Sequence, residues 1–532
     1  MSENKKETFL KGAAILGIAG IIVKILGALF RVPLGRIITS VGMGYYQTAY
    51  PIYIVLVGIA TSGFPVAISK MVSERRVAGN YKGADKVFWF VFKILLIFGI
   101  LASSAIFFGA DYIVTVRLKN PKAYYAMISL APALLIVPIM AAFRGYFQGH
   151  NDMKPSAISQ VVEQIGRVAV GLIGAQLLVS KGLEYGAAGG SFGATAGATF
   201  GLIVLLLMYK KSKENEQATA LHFEEEPNSK ILRELVVIAL PIIIGALVMP
   251  VMVLIDLAVV LERLQSIGYT NEQANALYGQ MSGMAATLVN LPQVVTSAIA
   301  VSLVPVISSA YVMNDREKLK DNTSLGIRTS ILIGLPAGVG LFALSTPIMK
   351  MLFPKEPDTL GQLLAIAAVG VLFLSIIQST TSVLQGIGKT KVPVINLFVG
   401  AFVKLILTYL LTGIPVLNVK GAAISTVSAY VVAAVLDYWA VKKSVDFKFD
   451  VNQFLVKPMI TALIMGLFAK GAYEIVFRVI GRNSLSVLAG VSVGAVVYAI
   501  ALFKTGAISK QELLALPKGQ KLVAKLEKVK LV

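Results

Sequence analysis

Two charged side chains lie one helical turn apart in a stretch that is otherwise apolar enough to cross a membrane. Glu163 and Arg167 stand in ISQVVEQIGRVAVGLI. Residues four apart share one face of a helix, and a carboxylate before a cation is the favourable order. A charge at mid-bilayer costs about 2.5–3.5 kcal/mol even on lenient insertion scales, so it normally faces a partner or water. The two residues are therefore either a structural ion pair or part of a polar site.

Other charged residues interrupt apolar runs at comparable depth. Lys24 and Arg31 are seven residues apart, two turns along one face of the first run. Arg31 can snorkel to the interface, whereas Lys24 lies deeper. Asp256 stands mid-run as a counter-ion or a proton or sodium site, and Asp437 is also at membrane depth. We interpret Lys24, Arg167 and Lys404 as candidate ligands of an anionic substrate, with Glu163 and Asp256 as counter-ion or coupling-ion candidates.

The patterns of several enzyme classes are missing from the sequence. GIGKT at 386–390 resembles the end of a phosphate loop, but that motif requires glycine where Val383 stands. The first outer segment, RVPLGRIITSVGMGYYQ, has no carboxylate for the metal-assisted chemistry of membrane glycosyltransferases. There is no cysteine and no HExxH motif. We therefore predict a transporter without catalytic residues, metal or cofactor.

The composition is that of a membrane protein. Of 532 residues, 56% are apolar and only 14% are charged, whereas soluble domains are about one quarter charged. Apolar runs of about twenty residues recur along the chain, each long enough to cross a bilayer as a helix. The net charge of +21 indicates basic cytoplasmic loops more readily than nucleic-acid binding. The prediction is an all-α polytopic membrane protein.

Fourteen spans are predicted, and an even number places both termini on one side. The inner side would carry 32 Lys and Arg residues and the outer side 12, so we expect both termini in the cytoplasm. No cleavage site follows the first apolar run, which indicates a retained helix. The spans lie near 9–30, 47–72, 86–108, 123–145, 155–178, 187–209, 232–261, 281–312, 325–349, 361–385, 393–412, 421–441, 455–477 and 484–504. Pro33 is expected to break or kink the first of them near its outer end.

The two halves of the chain repeat. GYFQGHNDMK is echoed by SVLQGIGKTK, and GAAGGSFGATAG by GAAISTVSAYVV, at offsets of 237 and 235 residues. Six spans per half preserve orientation, so the expected symmetry axis runs along the membrane normal. Arg167 follows Gln148 by nineteen residues, as Lys404 follows Gln385. The repeat thus places one cation at equivalent depth in each half.

The repeat also predicts how the chain is organised. Two six-helix lobes related by pseudo-two-fold symmetry are joined by a polar segment and followed by two extra helices and a basic tail. The predicted parts are an N-terminal lobe at 1–209, a cytoplasmic linker at 210–230, a C-terminal lobe at 231–443, spans thirteen and fourteen at 444–504, and a cytoplasmic tail at 505–532. The tail either forms an amphipathic helix on the inner leaflet or stays solvated.

Two long stretches carry a family resemblance. FRGYFQGHNDMKPSAISQVVEQIGRV and KILGALFRVPLGRIITSVGMGYYQTAYPIYIV resemble the polysaccharide-exporter branch of the multidrug/oligosaccharidyl-lipid/polysaccharide (MOP) superfamily, and within it the MurJ-like lipid II flippase and stage V sporulation protein B group. The resemblance implies a V-shaped fold around a central cavity. It also implies a groove for a polyprenyl tail at spans thirteen and fourteen.

In that family, cations of the first helix would hold a pyrophosphate, and Lys24 and Arg31 stand close to those positions. The chain departs from the Gram-negative flippases in its eighth span. They carry an arginine before Glu-x-Pro, where this chain reads AATLVNLPQ. Span two also has no arginine, so Arg167 and Lys404 are the candidates to complete the anion-binding set.

The prediction is a flippase in the bacterial cell membrane that moves undecaprenyl-pyrophosphate-linked cell-wall precursors, lipid II first. Its partners would be the lipid-linked glycan, membrane lipids and cell-wall synthesis or division proteins, with no nucleic acid. Membrane potential or a monovalent cation would supply the coupling. The alternatives are an exporter of another lipid-linked glycan, a cation-coupled multidrug antiporter, which an acidic cavity would suit better, and a scaffold for septal or spore-wall synthesis.

Overall fold

A computed structural model describes residues 3–214, 226–447 and 450–507, with side chains from residue 15 and to residue 212 in the first range. All regular structure in those ranges is helical. Most of the predicted linker and nearly all of the basic tail, including its amphipathic helix, lie outside the described residues.

Seventeen α-helices follow one another along the described chain. Their bounds are α1 Glu3–Ser62, α2 Phe64–Val77, α3 Tyr81–Asp111, α4 Tyr124–Ile128, α5 Ala131–Gly149, α6 Lys154–Leu178, α7 Leu183–Glu214, α8 Asn228–Ser266, α9 Asn271–Tyr278, α10 Ala286–Val312, α11 Arg316–Ala343, α12 Ser345–Leu352, α13 Thr359–Gly386, α14 Lys391–Thr412, α15 Val419–Val445, α16 Lys457–Ile480 and α17 Asn483–Lys504. Short π-helical turns lie at Tyr112–Arg117, Gly279–Ala285 and Asn452–Val456.

Thirteen helical stretches within the described residues are long and apolar enough to cross a membrane. The first, Ile15–Val77, covers most of the predicted span 9–30 and all of the predicted span 47–72. The other stretches correspond one to one with the remaining predicted spans. The all-α polytopic prediction is confirmed.

Helix α1 consists of two helical segments that meet at a kink at Thr39, where the chain folds back. Thr39 has φ 60° and ψ −178°, a conformation that β-branched residues rarely adopt. In a straight helix, Arg31 and Tyr50 would lie about 28 Å apart. The guanidinium carbon of Arg31 is instead 5.7 Å from the centre of the Tyr50 ring, and the rings of Phe30 and Tyr46 are 6.5 Å apart. The helical backbone continues through Pro33, so the break lies six residues later than the sequence predicts.

The chain forms two compact units, residues 1–283 and 284–532. In the N-terminal unit, the ring of Phe88 lies 4.8 Å from that of Tyr146 and 5.4 Å from that of Phe143, at the centre of a core of α2, α3 and α5. The buried residues Ile231 and Leu235 of α8 belong to the same core. In the C-terminal unit, the core joins α10, α11, α13 and α15.

Polar groups fix α9 within the N-terminal unit. The amides of Asn120 and Asn275 are fully buried and exchange hydrogen bonds of 2.7 and 3.1 Å. A Cβ atom on Gly44 would meet the carbonyl oxygen of Asn275, so α1 and α9 touch backbone to backbone. The compact units therefore divide after α9, while the predicted division into six-span lobes concerns the sequence repeat and stays a prediction.

Candidate functional site

Two of the predicted cations meet on one aromatic ring. The guanidinium carbon of Arg31 lies 5.7 Å from the centre of the Tyr50 ring, and that of Arg167 lies 5.0 Å from it. Both distances fall within the range of a cation–π interaction. The fold-back of α1 brings Arg31 to Tyr50, and α6 brings Arg167. The structure thus forms a site with two positive charges.

Tyr50 belongs to a row of three tyrosines on one face of α1. Tyr46, Tyr50 and Tyr53 are spaced by four and three residues, which aligns them on a helix. The rings of Tyr46 and Tyr50 are stacked 5.1 Å apart, and those of Tyr50 and Tyr53 are 5.8 Å apart. Tyr46 and Tyr53 are buried, whereas Tyr50 is only partly buried. The row holds the central ring in place and leaves part of it accessible.

One hydrogen-bond donor of the Arg167 guanidinium group is not used. Its Nη2 atom is buried and makes no hydrogen bond within the described residues. The groups that act on it electrostatically are the three tyrosines and Glu163. A guanidinium group has five N–H donors arranged to match a carboxylate or a phosphate. An anion that reached Arg167 would therefore find an unused donor.

Glu163 is paired with a different arginine from the one that its spacing suggests. Its Oε2 atom accepts a hydrogen bond of 2.8 Å from Nη2 of Arg144, whose Nε atom donates to Ser159. The described residues contain no ion pair within 4.0 Å between Glu163 and Arg167. The structural pair that i, i+4 spacing allows is therefore not formed, because Glu163 contacts α5 while Arg167 contacts α1. Arg144, near the end of the predicted span 123–145, is largely buried in α5.

Glycines of α7 allow α6 to approach closely and so position both charged residues. Gly189, Gly193, Gly197 and Gly201 recur every four residues. A Cβ atom on Gly193 would meet the carbonyl oxygen of Arg167, and one on Gly197 that of Glu163. Small residues at this spacing are how membrane helices bring their backbones together.

The remaining predicted site residues lie in other surroundings. Lys24 is exposed on α1, two turns before Arg31. Asp256 is buried in α8 and acts electrostatically on Tyr278, but is not among the groups that act on Arg167. Lys404 lies on α14 in the C-terminal unit and is only 2% exposed. The geometry thus supports a shared site for Arg31 and Arg167.

The C-terminal unit has a buried carboxylate of its own. Asp437 on α15 is fully buried and accepts hydrogen bonds from Asn396 at 2.7 Å, Thr381 at 3.2 Å and Thr380 at 3.4 Å. All three donors are neutral. The described residues contain no cluster of His, Cys, Asp or Glu that could hold a metal ion.

The C-terminal unit also contains an apolar cavity of about 390 Å³ among α10, α11, α16 and α17. Its walls include Leu288, Leu341, Met465 and Val491. Tyr498 also lines it, and the hydroxyl group of this residue donates a hydrogen bond to the carbonyl oxygen of Leu332. The cavity is suited to a hydrocarbon chain.

Residues 9–311, more than half of the chain, match the model of the polysaccharide biosynthesis protein family. The chain belongs to this family. Residues 281–410 match the MatE model as well. The family resemblance noted in the sequence is confirmed, and family and fold are those of transporters, not of enzymes.

Two relatives come from Bacillus subtilis (strain 168) and span nearly the whole chain. Uncharacterized membrane protein YabM is 30% identical over 526 residues, which are 97% of this chain and 96% of YabM. Lipid II flippase MurJ is 27% identical over 530 residues, 94% of this chain and 96% of the flippase. A solved structure of lipid II flippase MurJ in an inward closed conformation covers 92% of this chain and 98% of its own, with a TM-score of 0.69 at 17% identity. This member of the polysaccharide biosynthesis family is thus a multi-pass membrane transporter of the MOP superfamily.

Sequence reasoning about this transporter missed the tyrosines and Arg144. The signal for the tyrosines was present in YYQTAYPIY, where three rings recur at helical spacing. Their contact with Arg31 depends on the fold-back at Thr39, and no sequence motif indicates that fold-back. Arg144 stands in the FRGYFQG stretch that carries the family resemblance, and its partner lies on the next helix.

Proposed function

We propose that this transporter moves undecaprenyl-pyrophosphate-linked cell-wall precursors, with lipid II as the first candidate, from the inner to the outer leaflet. The observation that carries the proposal is the pair of guanidinium groups on Tyr50. Arginine binds phosphate oxygens with paired, charge-assisted hydrogen bonds. Two arginines in one site suit a pyrophosphate that must leave its hydrated headgroup layer.

The ligand set that we propose extends beyond this pair. Lys24 would meet the headgroup as it enters along α1, and Lys404 would join in a conformation that exposes it. Asp256 and Glu163 would balance charge or, in the case of Asp256, bind a coupling ion. The apolar cavity beside α16 and α17 supports a place for part of the polyprenyl tail.

The proposed energy source is the membrane potential. An inside-negative potential favours outward movement of an anion by about 2.3 kcal/mol per charge per 100 mV. Coupling to a monovalent cation would serve the same purpose. The excess of Lys and Arg in the inner segments supports cytoplasmic termini in a bacterial cell membrane.

A second candidate substrate is another lipid-linked glycan, which the family description, polysaccharide biosynthesis, supports. Both substrates present a phosphate-rich headgroup to the same arginines. A multidrug antiporter is less well supported, because cationic drugs would be repelled by the site on Tyr50. Proteins of cell-wall synthesis or division are proposed as partners at the outer leaflet.

The test is transport of labelled lipid II in proteoliposomes that hold the full-length protein and an inside-negative potential. We expect movement by the wild type and a loss of about tenfold or more in Arg167→Gln and Arg31→Gln, since each variant removes charge-assisted hydrogen bonds. Arg117→Gln is the matched control, because Arg117 also lies over a tyrosine ring, that of Tyr112 at 5.5 Å, outside the site. If the wild-type protein moves another lipid-linked glycan but not lipid II, the second candidate substrate is supported. If it moves neither, the proposal is refuted.

A further inference from the structure

Two like charges are held together in the N-terminal unit without a carboxylate between them. Neither Arg31 nor Arg167 forms an ion pair within the described residues, and Glu163, one helical turn before Arg167, is bound to Arg144. Coulomb repulsion alone would drive the two guanidinium groups apart. Some other group must therefore hold them.

The ring of Tyr50 has the properties required. The faces of an aromatic ring carry partial negative charge and attract cations, and both guanidinium carbons lie within reach of this ring. The two carbons can be no farther apart than the sum of their distances from its centre. The ring is itself fixed by stacking on buried Tyr46 at an interplanar angle of 20°.

A ring differs from a carboxylate in what it leaves for a ligand. A carboxylate would neutralise one arginine and occupy its donors, whereas a ring attracts the cation and uses none of its N–H groups. Arg167 indeed retains a buried donor without a partner. The site therefore keeps both positive charges available.

We propose that Tyr50 is a positioning residue that gathers Arg31 and Arg167 into one site selective for a diphosphate over a monophosphate. The inference rests on the proposed function and names the determinant of that site's selectivity. A diphosphate can bridge two guanidinium groups at a fixed spacing, whereas a monophosphate needs only one of them. Loss of the ring separates the arginines and removes the advantage of the second phosphate.

The experiment measures binding of undecaprenyl pyrophosphate and of undecaprenyl phosphate to purified full-length protein. Tyr50→Leu should weaken binding of the diphosphate about tenfold and of the monophosphate about twofold or less, as expected for the loss of two cation–π contacts. Tyr50→Phe keeps the ring and should stay within about twofold of wild type for both lipids. Tyr112→Leu, which removes the ring under Arg117, is the matched control and should change neither. An equal loss for both lipids in Tyr50→Leu would overturn the proposal, because that is what a general packing defect produces.

A second substitution keeps the test decisive where Tyr50→Leu does not fold. Trifluorophenylalanine at position 50 has nearly the shape of phenylalanine but a ring with little negative charge on its faces. It should bind the diphosphate severalfold more weakly than Tyr50→Phe, and equal binding would refute the role of the ring. Arg31→Gln and Arg167→Gln separate this inference from the proposed function. If neither arginine substitution affects diphosphate binding, the proposed site is wrong. If both arginine substitutions weaken binding while the ring substitutions do not, only the proposed role of Tyr50 is wrong.

Discussion

The helix pairs α6–α7 and α14–α15 derive from matching parts of the sequence repeat, yet they surround their charges differently. In α6, Arg167 contacts a partly buried tyrosine, and Glu163 is bound by an arginine. In α14, Lys404 is buried, and the carboxylate of Asp437 in α15 is bound by neutral donors. An equivalent depth in the sequence thus does not provide an equivalent environment. The neighbouring helix decides whether a cation can meet a ligand.

The largest effect is expected at the glycines between α6 and α7. Gly197→Leu should abolish folding, because the side chain would meet the backbone of Glu163 and push α6 away at a cost of several kcal/mol. Fluorescence-detected size-exclusion chromatography of membrane extracts measures the folded amount. Gly471→Leu is the control, since nothing lies within 4 Å of a Cβ atom there. Normal folding of Gly197→Leu would show that the two helices need not touch.

The next effect compares the two carboxylates. Glu163→Gln should cost about 3 kcal/mol, because it leaves Arg144 largely buried without a counter-charge. Asp437→Asn should cost about 1 kcal/mol or less, since its donors are neutral and hydroxyl groups can rotate to accept. Thermal unfolding in detergent measures both. The double variant Glu163→Gln, Arg144→Gln should recover part of the loss, and recovery with Arg167→Gln instead would contradict the observed pairing.

The two repeat-related cations should differ in binding but not in transport. Arg167→Gln is expected to weaken both undecaprenyl pyrophosphate binding and transport about tenfold, because its guanidinium group lies against Tyr50, which is only partly buried. Lys404→Gln should reduce transport yet leave binding within about twofold, because a buried lysine reaches the headgroup only after a conformational change. Equilibrium binding and proteoliposome transport are measured on the same preparations. A binding loss in Lys404→Gln equal to that of Arg167→Gln would contradict the contrast drawn from burial.

The smallest effect concerns one ion pair of each unit near the helix ends. In the N-terminal unit, a hydrogen bond from Arg75 holds the pKa of Glu226 below its usual range, and the pair at 2.6 Å is largely shielded from solvent. In the C-terminal unit, Lys320 and Asp446 pair at 3.1 Å with most of the carboxylate in solvent. A lowered carboxyl pKa stabilises the folded state above the unfolded pKa, and that stability is lost as pH falls through the folded pKa. Glu226→Gln should therefore flatten the acid side of the stability profile by about 1 kcal/mol, whereas Asp446→Asn should leave it unchanged. The measurement is the unfolding midpoint of each variant at several pH values between neutral and acid. Identical profiles for Glu226→Gln and wild type would refute the role of the pair.

The sequence predicts most of the fold but only part of the site. Apolar runs determine the number of spans, because their lengths match the bilayer. They do not show which way a residue points, so the burial of Lys404 could not be predicted. Nor does i, i+4 spacing determine which residue forms an ion pair, since Glu163 is bound by Arg144 of the preceding helix and not by Arg167. The contact of Arg31 with Tyr50 depends on a backbone angle at Thr39 that the residue type disfavours.

The fold-back at Thr39 also determines the order in which the site can be built. The contact between Arg31 and Tyr50 closes a loop of only nineteen residues, whereas that between Tyr50 and Arg167 closes one of more than a hundred. Closing the longer loop costs about 1.5 kcal/mol more in chain entropy. Residues 31–50 are also synthesised before α6, so we expect the contact of Arg31 with Tyr50 to form before that of Arg167. The site on Tyr50 would then assemble from its N-terminal contact first.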